Sequence, residues 1–189
     1  MKALEKLENQ LPSVFKKRGT AVLVLVLLVL LSVFGIGGVK LRSAQKPLEK
    51  VFAERLEPEL EARAAAAHNL LTLAENLSAK ENFPGMTEMQ TALKNREKSK
   101  EPAERCLADL EIEKAVNQLG DALQEPAQQA GKQELLNRQL AEFESKGRVV
   151  SHELKDYNQQ AEEFNQKLNA FPASLIGLVG GVREVDLCE

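Results

Sequence analysis

The most prominent feature of the chain is an uninterrupted apolar segment close to its N-terminus. Residues 21–39 hold no charged side chain, whereas lysine and arginine flank the segment on both sides. A helix of nineteen residues is about 28 Å long, which is close to the roughly 30 Å hydrocarbon core of a bilayer. The pattern predicts one transmembrane helix over residues 19–39. A cleaved signal peptide has a shorter apolar core, and a buried helix of a soluble protein is the other alternative.

Beyond the membrane segment, apolar residues recur at helical spacing between breaks that contain proline and glycine. A long first helix is predicted from Lys40 to about Ala79, with Pro47 and Pro58 as kink sites. Residues 82–85, Asn-Phe-Pro-Gly, have the composition of a turn. We therefore expect the chain to reverse direction there.

Two shorter helices are predicted in the middle of the chain. The second helix covers residues 86–98. Pro102 suits the first position of a third helix, because a proline there removes no intrahelical hydrogen bond. We expect the third helix to end within residues 126–131, which contain a proline and a glycine.

The fourth predicted helix has the most regular pattern. Apolar residues recur at steps of four and three, and Gly147 is the one position of the series without an apolar side chain. This apolar seam consists of Leu136, Leu140, Phe143, Gly147, Val150, Leu154, Tyr157, Ala161, Phe164, Leu168 and Phe171. We expect the seam to be buried. Two long helices with shorter ones between them predict an all-α chain, in which the transmembrane helix precedes an elongated, antiparallel up-and-down four-helix bundle.

Two short segments of the chain have the spacing of a family motif. Tyr157-Asn158, five residues, Phe164-Asn165, five residues and Phe171-Pro172 form the first segment, and Arg63 with residues 69–71 forms the second, weaker one. This arrangement resembles the bacterial LemA family. The resemblance implies an N-terminally anchored four-helix bundle that faces outward, in a family without an established enzymatic activity.

The composition excludes some classes of partner. With 28 Asp and Glu against 25 Lys and Arg, the net charge is −3, so no large basic surface indicates nucleic acid binding. An aromatic content of 4% suits helices better than a β-sandwich. Cys106 and Cys188 are far apart, and their spacing predicts neither a disulfide framework nor a metal pair.

The chain lacks the motifs of common enzyme classes. It contains no phosphate-binding loop, no dinucleotide fingerprint, no nucleophile elbow and no zinc-protease motif. A di-iron bundle needs Glu three residues before His on two helices, but Ala65 and Val149 stand at those positions before His68 and His152. We therefore predict no catalytic residue, no metal site, no cofactor and no enzymatic activity.

Five residues are candidates for partner binding or for fixing the helix register. Asn158 and Asn165 each follow an aromatic residue of the seam and lie seven apart, so they line one edge of it. Their amides are expected to bond a neighbouring helix or, alternatively, a partner. Leu175, Ile176 and Leu178 belong to the apolar run 175–182, which is too short to cross a bilayer. This run is expected to fold onto the bundle end, lie at the bilayer surface or dock a partner.

Charge next to the apolar segment predicts the orientation. The cluster Lys16-Lys17-Arg18 favours a cytoplasmic N-terminus. The predicted organisation is therefore a short cytoplasmic segment (1–18), a transmembrane helix (19–39), a LemA-like bundle (40–172) outside the cytoplasm and an apolar tail (173–189).

These predictions favour a non-enzymatic, single-pass scaffold or adaptor in the bacterial cell membrane, with protein partners of unknown identity and no nucleic acid. A homo-oligomer is compatible with the sequence. The alternative is a sensory or regulatory helical-bundle subunit that acts through a membrane partner.

Overall fold

A computed structural model describes residues 18–77 and 82–188. Every regular element in these ranges is helical, which confirms the all-α class and its long apolar N-terminal helix. The elements are α1 (Arg18–Val51), a π-helical turn (Phe52–Leu56), α2 (Glu57–Leu77), α3 (Met86–Lys98), α4 (Pro102–Gln129), α5 (Gln133–Asn169) and α6 (Ala173–Gly180). The predicted cytoplasmic segment with Lys16 and Lys17, and the predicted helix end near Ala79, lie outside the described residues.

The chain forms two compact units. The anchor unit holds the chain as far as Gln45 together with Gln166–Glu184, and the bundle unit holds Lys46–Asn165 with residues 185–188. Helices α1 and α5 each contribute residues to both units. The bundle unit contains the larger part of the buried apolar core.

Helix α1 and the first bundle helix are continuous, and one π-helical turn joins them. In this turn the Glu57 amide donates to the Phe52 carbonyl, five residues back instead of four. Pro58 follows immediately, and its ring would clash with the carbonyl of Glu54 in a regular α-helix. The wider turn relieves that clash, so the helix continues past Pro58. The other predicted kink site, Pro47, lies inside α1.

The middle helices begin where the sequence predicted. Helix α3 covers Met86–Lys98, and Pro102 is the first residue of α4. The turn before α3 requires glycine, because Gly85 has a φ of 86° and a Cβ there would lie 2.9 Å from the Leu119 amide nitrogen. This close approach packs the turn against α4.

The apolar seam of α5 is mostly buried. The buried members are Leu136, Phe143, Val150, Tyr157, Ala161, Phe164 and Leu168. Leu140 and Leu154 are partly buried. The prediction is wrong for Phe171, which is exposed, because α5 ends at Asn169 and the chain turns before Pro172.

Candidate partner-binding site

Helix α6 ends at Gly181, whose φ is 67°, and the C-terminal segment of residues 182–188 follows it without helical structure. Further along, Asn165 binds the segment through both atoms of its amide. Its Nδ2 donates to the Val185 carbonyl at 2.8 Å, and its Oδ1 accepts from the Val185 amide at 2.8 Å. One side chain therefore satisfies both backbone groups of one residue.

Asn158 repeats this arrangement at the end of the segment. Its Nδ2 donates to the Cys188 carbonyl at 2.7 Å, and its Oδ1 accepts from the Cys188 amide at 2.9 Å. We call the two residues the asparagine clamp. Both amides bond the extended C-terminal segment, whereas the sequence had suggested a neighbouring helix or a partner.

The spacing of the clamp matches an extended chain. Asn158 and Asn165 are seven residues apart on one helix, a rise of about 10.5 Å. Val185 and Cys188 are three residues apart, about 10 Å in extended backbone. The clamp therefore fits a segment that runs extended along α5. Its four hydrogen bonds go to backbone atoms, so they fix the conformation of the segment without selecting its side chains.

Tyr157 lies beside the clamp and supports the same segment. Its hydroxyl donates to the Asp186 carbonyl at 3.4 Å, and its ring packs edge to face on Phe52 with centroids 5.5 Å apart. Burial, with a smaller contribution from the Asp186 charge, raises the pKa of Tyr157 to about 12. The hydroxyl therefore stays protonated and able to donate through the ordinary pH range.

A disulfide fixes the end of the segment. Cys188 is bonded to Cys106 of α4, across a sequence separation of 82 residues. The spacing of the cysteines gave no indication of this bond, because the clamp brings together two cysteines that no local spacing relates. Both cysteines are buried.

The tail candidates Leu175, Ile176 and Leu178 lie on α6, in the anchor unit. Ile176 packs against Gly37 of α1. A Cβ atom on Gly37 would lie 2.9 Å from the Cγ2 atom of Ile176. Leu175 and Leu178 are exposed. Thus the five candidates divide between two places: the asparagines in the bundle unit and the tail residues in the anchor unit.

A buried charge cluster in the bundle unit escaped the sequence-based prediction. The Arg63 guanidinium pairs with Asp109 and with Glu113, the latter at 2.8 Å, and lies 4.4 Å from the centroid of the Phe143 ring. Burial raises the pKa of Asp109, and the charge of Arg63 opposes this shift. The signal available in the sequence was Gly147, because the guanidinium fills the space beside that glycine.

Other polar groups do not assemble into a recognisable centre in the part of the chain that the structure describes. Across residues 18–77 and 82–188, no three His, Cys, Asp or Glu side chains are grouped as a metal site would need. His152 is exposed. Ion pairs instead connect helices, such as Arg55 to Glu153 at 2.8 Å and Arg96 to Glu61 at 2.8 Å.

Comparison with models of protein families, with curated protein sequences and with solved structures finds no match in any of the three.

Proposed function

We propose that this chain is a non-enzymatic, LemA-like scaffold or adaptor, anchored by one transmembrane helix, that presents a rigid helical bundle to protein partners outside the cytoplasm of a bacterial cell. The carrying observation is the apolar surface of α1. Leu25 and Leu31 are 63% and 68% exposed, and the same holds along most of residues 22–39. Surface of this extent is not stable in water, and a bilayer covers it.

The disulfide supports the proposed side of the membrane. Disulfides persist in oxidising compartments and are rare in the cytoplasm of most organisms. Cys106 and Cys188 both belong to the bundle unit. Their bond therefore favours a bundle that folds outside the cytoplasm, which agrees with the orientation expected from Lys16 and Lys17.

The scaffold role rests on rigidity and on the absence of enzyme motifs from the sequence. Helix-connecting ion pairs, a buried arginine and a clamped C-terminal segment all hold the bundle in one arrangement. A rigid surface loses little conformational entropy when a partner binds. These features support a docking platform better than a protein that must change shape.

Membrane fractionation tests the anchor. After an alkaline carbonate wash, the full-length protein should stay in the membrane pellet. Replacing Leu27 and Leu28 with lysine should release it, because lysine in the hydrocarbon core costs about 2.5–3.5 kcal/mol per residue. The matched control replaces Leu107 and Leu110, two exposed leucines of α4, with lysine. This control protein should stay in the pellet. Release of the unmodified protein by carbonate would refute the anchor.

Protease treatment of spheroplasts tests the side. The bundle should be degraded while the membrane is intact, and protection until the membrane is broken would reverse the orientation. Crosslinking in intact cells, followed by purification of the full-length chain, tests the scaffold role. A constant set of partners supports it, whereas partners that change with a stimulus favour a regulatory subunit.

A further inference from the structure

Helix α6 is apolar apart from Ser174, but it is largely uncovered. Residues 173–180 hold no charged side chain. Leu178 is 81% exposed, Val179 66% and Leu175 50%, and Phe171 just before the helix is 81% exposed. A helix that is apolar all round is normally buried, either in a large protein core or in a membrane.

The covered side of α6 packs on α1 through glycine. A Cβ on Gly180 would lie 3.3 Å from the Cα of Gly38, and a Cβ on Gly38 would lie 3.7 Å from the Cα of Gly180. Ile176 fills the space beside Gly37 in the same way. Close backbone approach through small residues is the usual packing of helices in a membrane, where burial of apolar surface gives no drive for association.

Two backbone carbonyls in the last turn of α6, those of Gly177 and Gly180, accept hydrogen bonds. Arg42 Nη2 donates to the Gly180 carbonyl at 2.6 Å, and the Val182 amide donates to the Gly177 carbonyl at 3.0 Å. Unbonded carbonyls are expensive in a lipid environment. The arginine also supplies a charge that suits the headgroup layer.

The contact with α1 gives the depth of α6. Gly37 and Gly38 are within two residues of the end of the apolar run 21–39, which is about 3 Å along the helix. Helix α6 has eight residues, about 12 Å, and cannot cross a bilayer of about 30 Å. It therefore fits the boundary between headgroups and acyl chains.

We propose that α6 is a second membrane element, which lies in the interfacial layer beside the C-terminal end of α1 and inserts Phe171, Leu175, Leu178 and Val179 into the leaflet. The partner of this surface is the lipid bilayer. The inference rests on the proposed anchoring of α1, since α6 takes its depth from the contact with that helix. It makes the C-terminal part of the chain a second point of membrane attachment.

Tryptophan fluorescence tests the proposal, because the chain contains no tryptophan. The full-length protein with Leu178→Trp is reconstituted into phosphatidylethanolamine and phosphatidylglycerol vesicles that carry bromine either near the headgroup or deep in the acyl chain. Leu25→Trp is the reference inside the anchor. Leu107→Trp, on an exposed position of the bundle unit, is the reference in water.

We expect Leu178→Trp to emit at shorter wavelength than Leu107→Trp and to be quenched, more strongly by shallow than by deep bromine. Quenching of Leu25→Trp with no quenching of Leu178→Trp would overturn the proposal for α6 while the anchor stands, and would leave a protein partner as the occupant of this surface. Stronger quenching of Leu178→Trp by deep bromine would overturn the interfacial depth. If Leu25→Trp is unquenched too, the anchor fails and the proposal for α6 fails with it.

Discussion

The guanidinium of Arg63 occupies the place where a side chain at position 147 would lie. A Cβ on Gly147 would be 3.1 Å from Nη2 of Arg63 and 3.2 Å from its Nε. On the same stretch of α5, the Phe143 ring lies against the guanidinium, so a cation–π contact adds to the ion pairs with Asp109 and Glu113. The gap in the apolar seam is thus filled by an arginine from α2.

Replacing Gly147 with leucine should destabilise the protein, although it would complete the apolar pattern. Glycine has a lower helix propensity than alanine by about 0.8–1 kcal/mol, and leucine is close to alanine, but overpacking against Arg63 costs about 1–3 kcal/mol or more. Denaturant unfolding of the detergent-solubilised chain should show a net loss. Ser151→Leu, one turn later at an exposed position, should change stability by less than about 0.5 kcal/mol. The cost of Gly147→Leu should shrink in an Arg63→Ala background, and an unchanged cost there would show that Arg63 is not the obstacle.

Arg63→Met should destabilise the protein in a pH-dependent way. Without the guanidinium, burial raises the pKa of Asp109 further, because the charge that opposed the shift is gone. When the pKa of a carboxyl group is higher in the native state than in the unfolded state, the group contributes its full stability below the unfolded pKa, which is 3.8 for Asp109. This stability is lost as the pH rises through the native pKa. We expect a loss of about 3–5 kcal/mol at neutral pH and a smaller loss at pH values near the ordinary carboxyl pKa, both measured by denaturant unfolding.

The added substitution Asp109→Asn is the control for that experiment. It removes the titrating group, so the double variant should differ from the Asp109→Asn single variant by a nearly constant amount across the same pH range. A pH dependence that persists in the double variant would assign the effect to another carboxylate.

Asn165→Asp should loosen the C-terminal segment. The carboxylate has no N–H to donate and faces the Val185 carbonyl, so one hydrogen bond is lost and repulsion replaces it, at a cost of about 1–3 kcal/mol. Amide hydrogen exchange of residues 185–188 should become faster. Gln166→Glu makes the same change of charge at the adjacent, exposed position and should leave the exchange unaltered. Equal exchange in both variants would mean that the clamp does not hold the segment.

Alkaline titration should show a late ionisation of Tyr157, the only tyrosine. Its pKa is raised from 10.0 to about 12. The unfolded chain therefore loses this proton before the native chain, and stability falls between pH 10 and 12 by about 3 kcal/mol. Tyrosinate absorbance follows the ionisation, and Tyr157→Phe should remove this component from the pH dependence of unfolding. Ionisation at the ordinary value in the folded protein would contradict the buried hydroxyl.

Local signals in the sequence predicted the helices well. Pro102 and the Asn-Phe-Pro-Gly turn mark boundaries by their own backbone restrictions, so α3 and the start of α4 lie where expected. The seam of α5 was readable for the same reason, since helical periodicity is local. The prediction that Phe171 is buried was wrong, because an apolar pattern that continues in the sequence does not show where the helix ends.

Only part of the candidate site could be predicted from the sequence. The sequence drew attention to Asn158 and Asn165 but could not show that their partner is an extended segment, which has no periodicity. Their hydrogen bonds bring Cys188 to Cys106, a contact that depends on the whole bundle. The charge cluster of Arg63 was hidden for a related reason, because a buried arginine is indistinguishable in sequence from one in water.

The bond between Cys106 and Cys188 closes a covalent ring that contains all of α5 and α6. A protease that cuts this ring once, for example in the turn at Gly131, therefore opens it without dividing the molecule. The two pieces separate only after a reductant breaks the bond. A nicked protein would keep its full mass in a non-reducing gel, and the damage would become visible only on reduction.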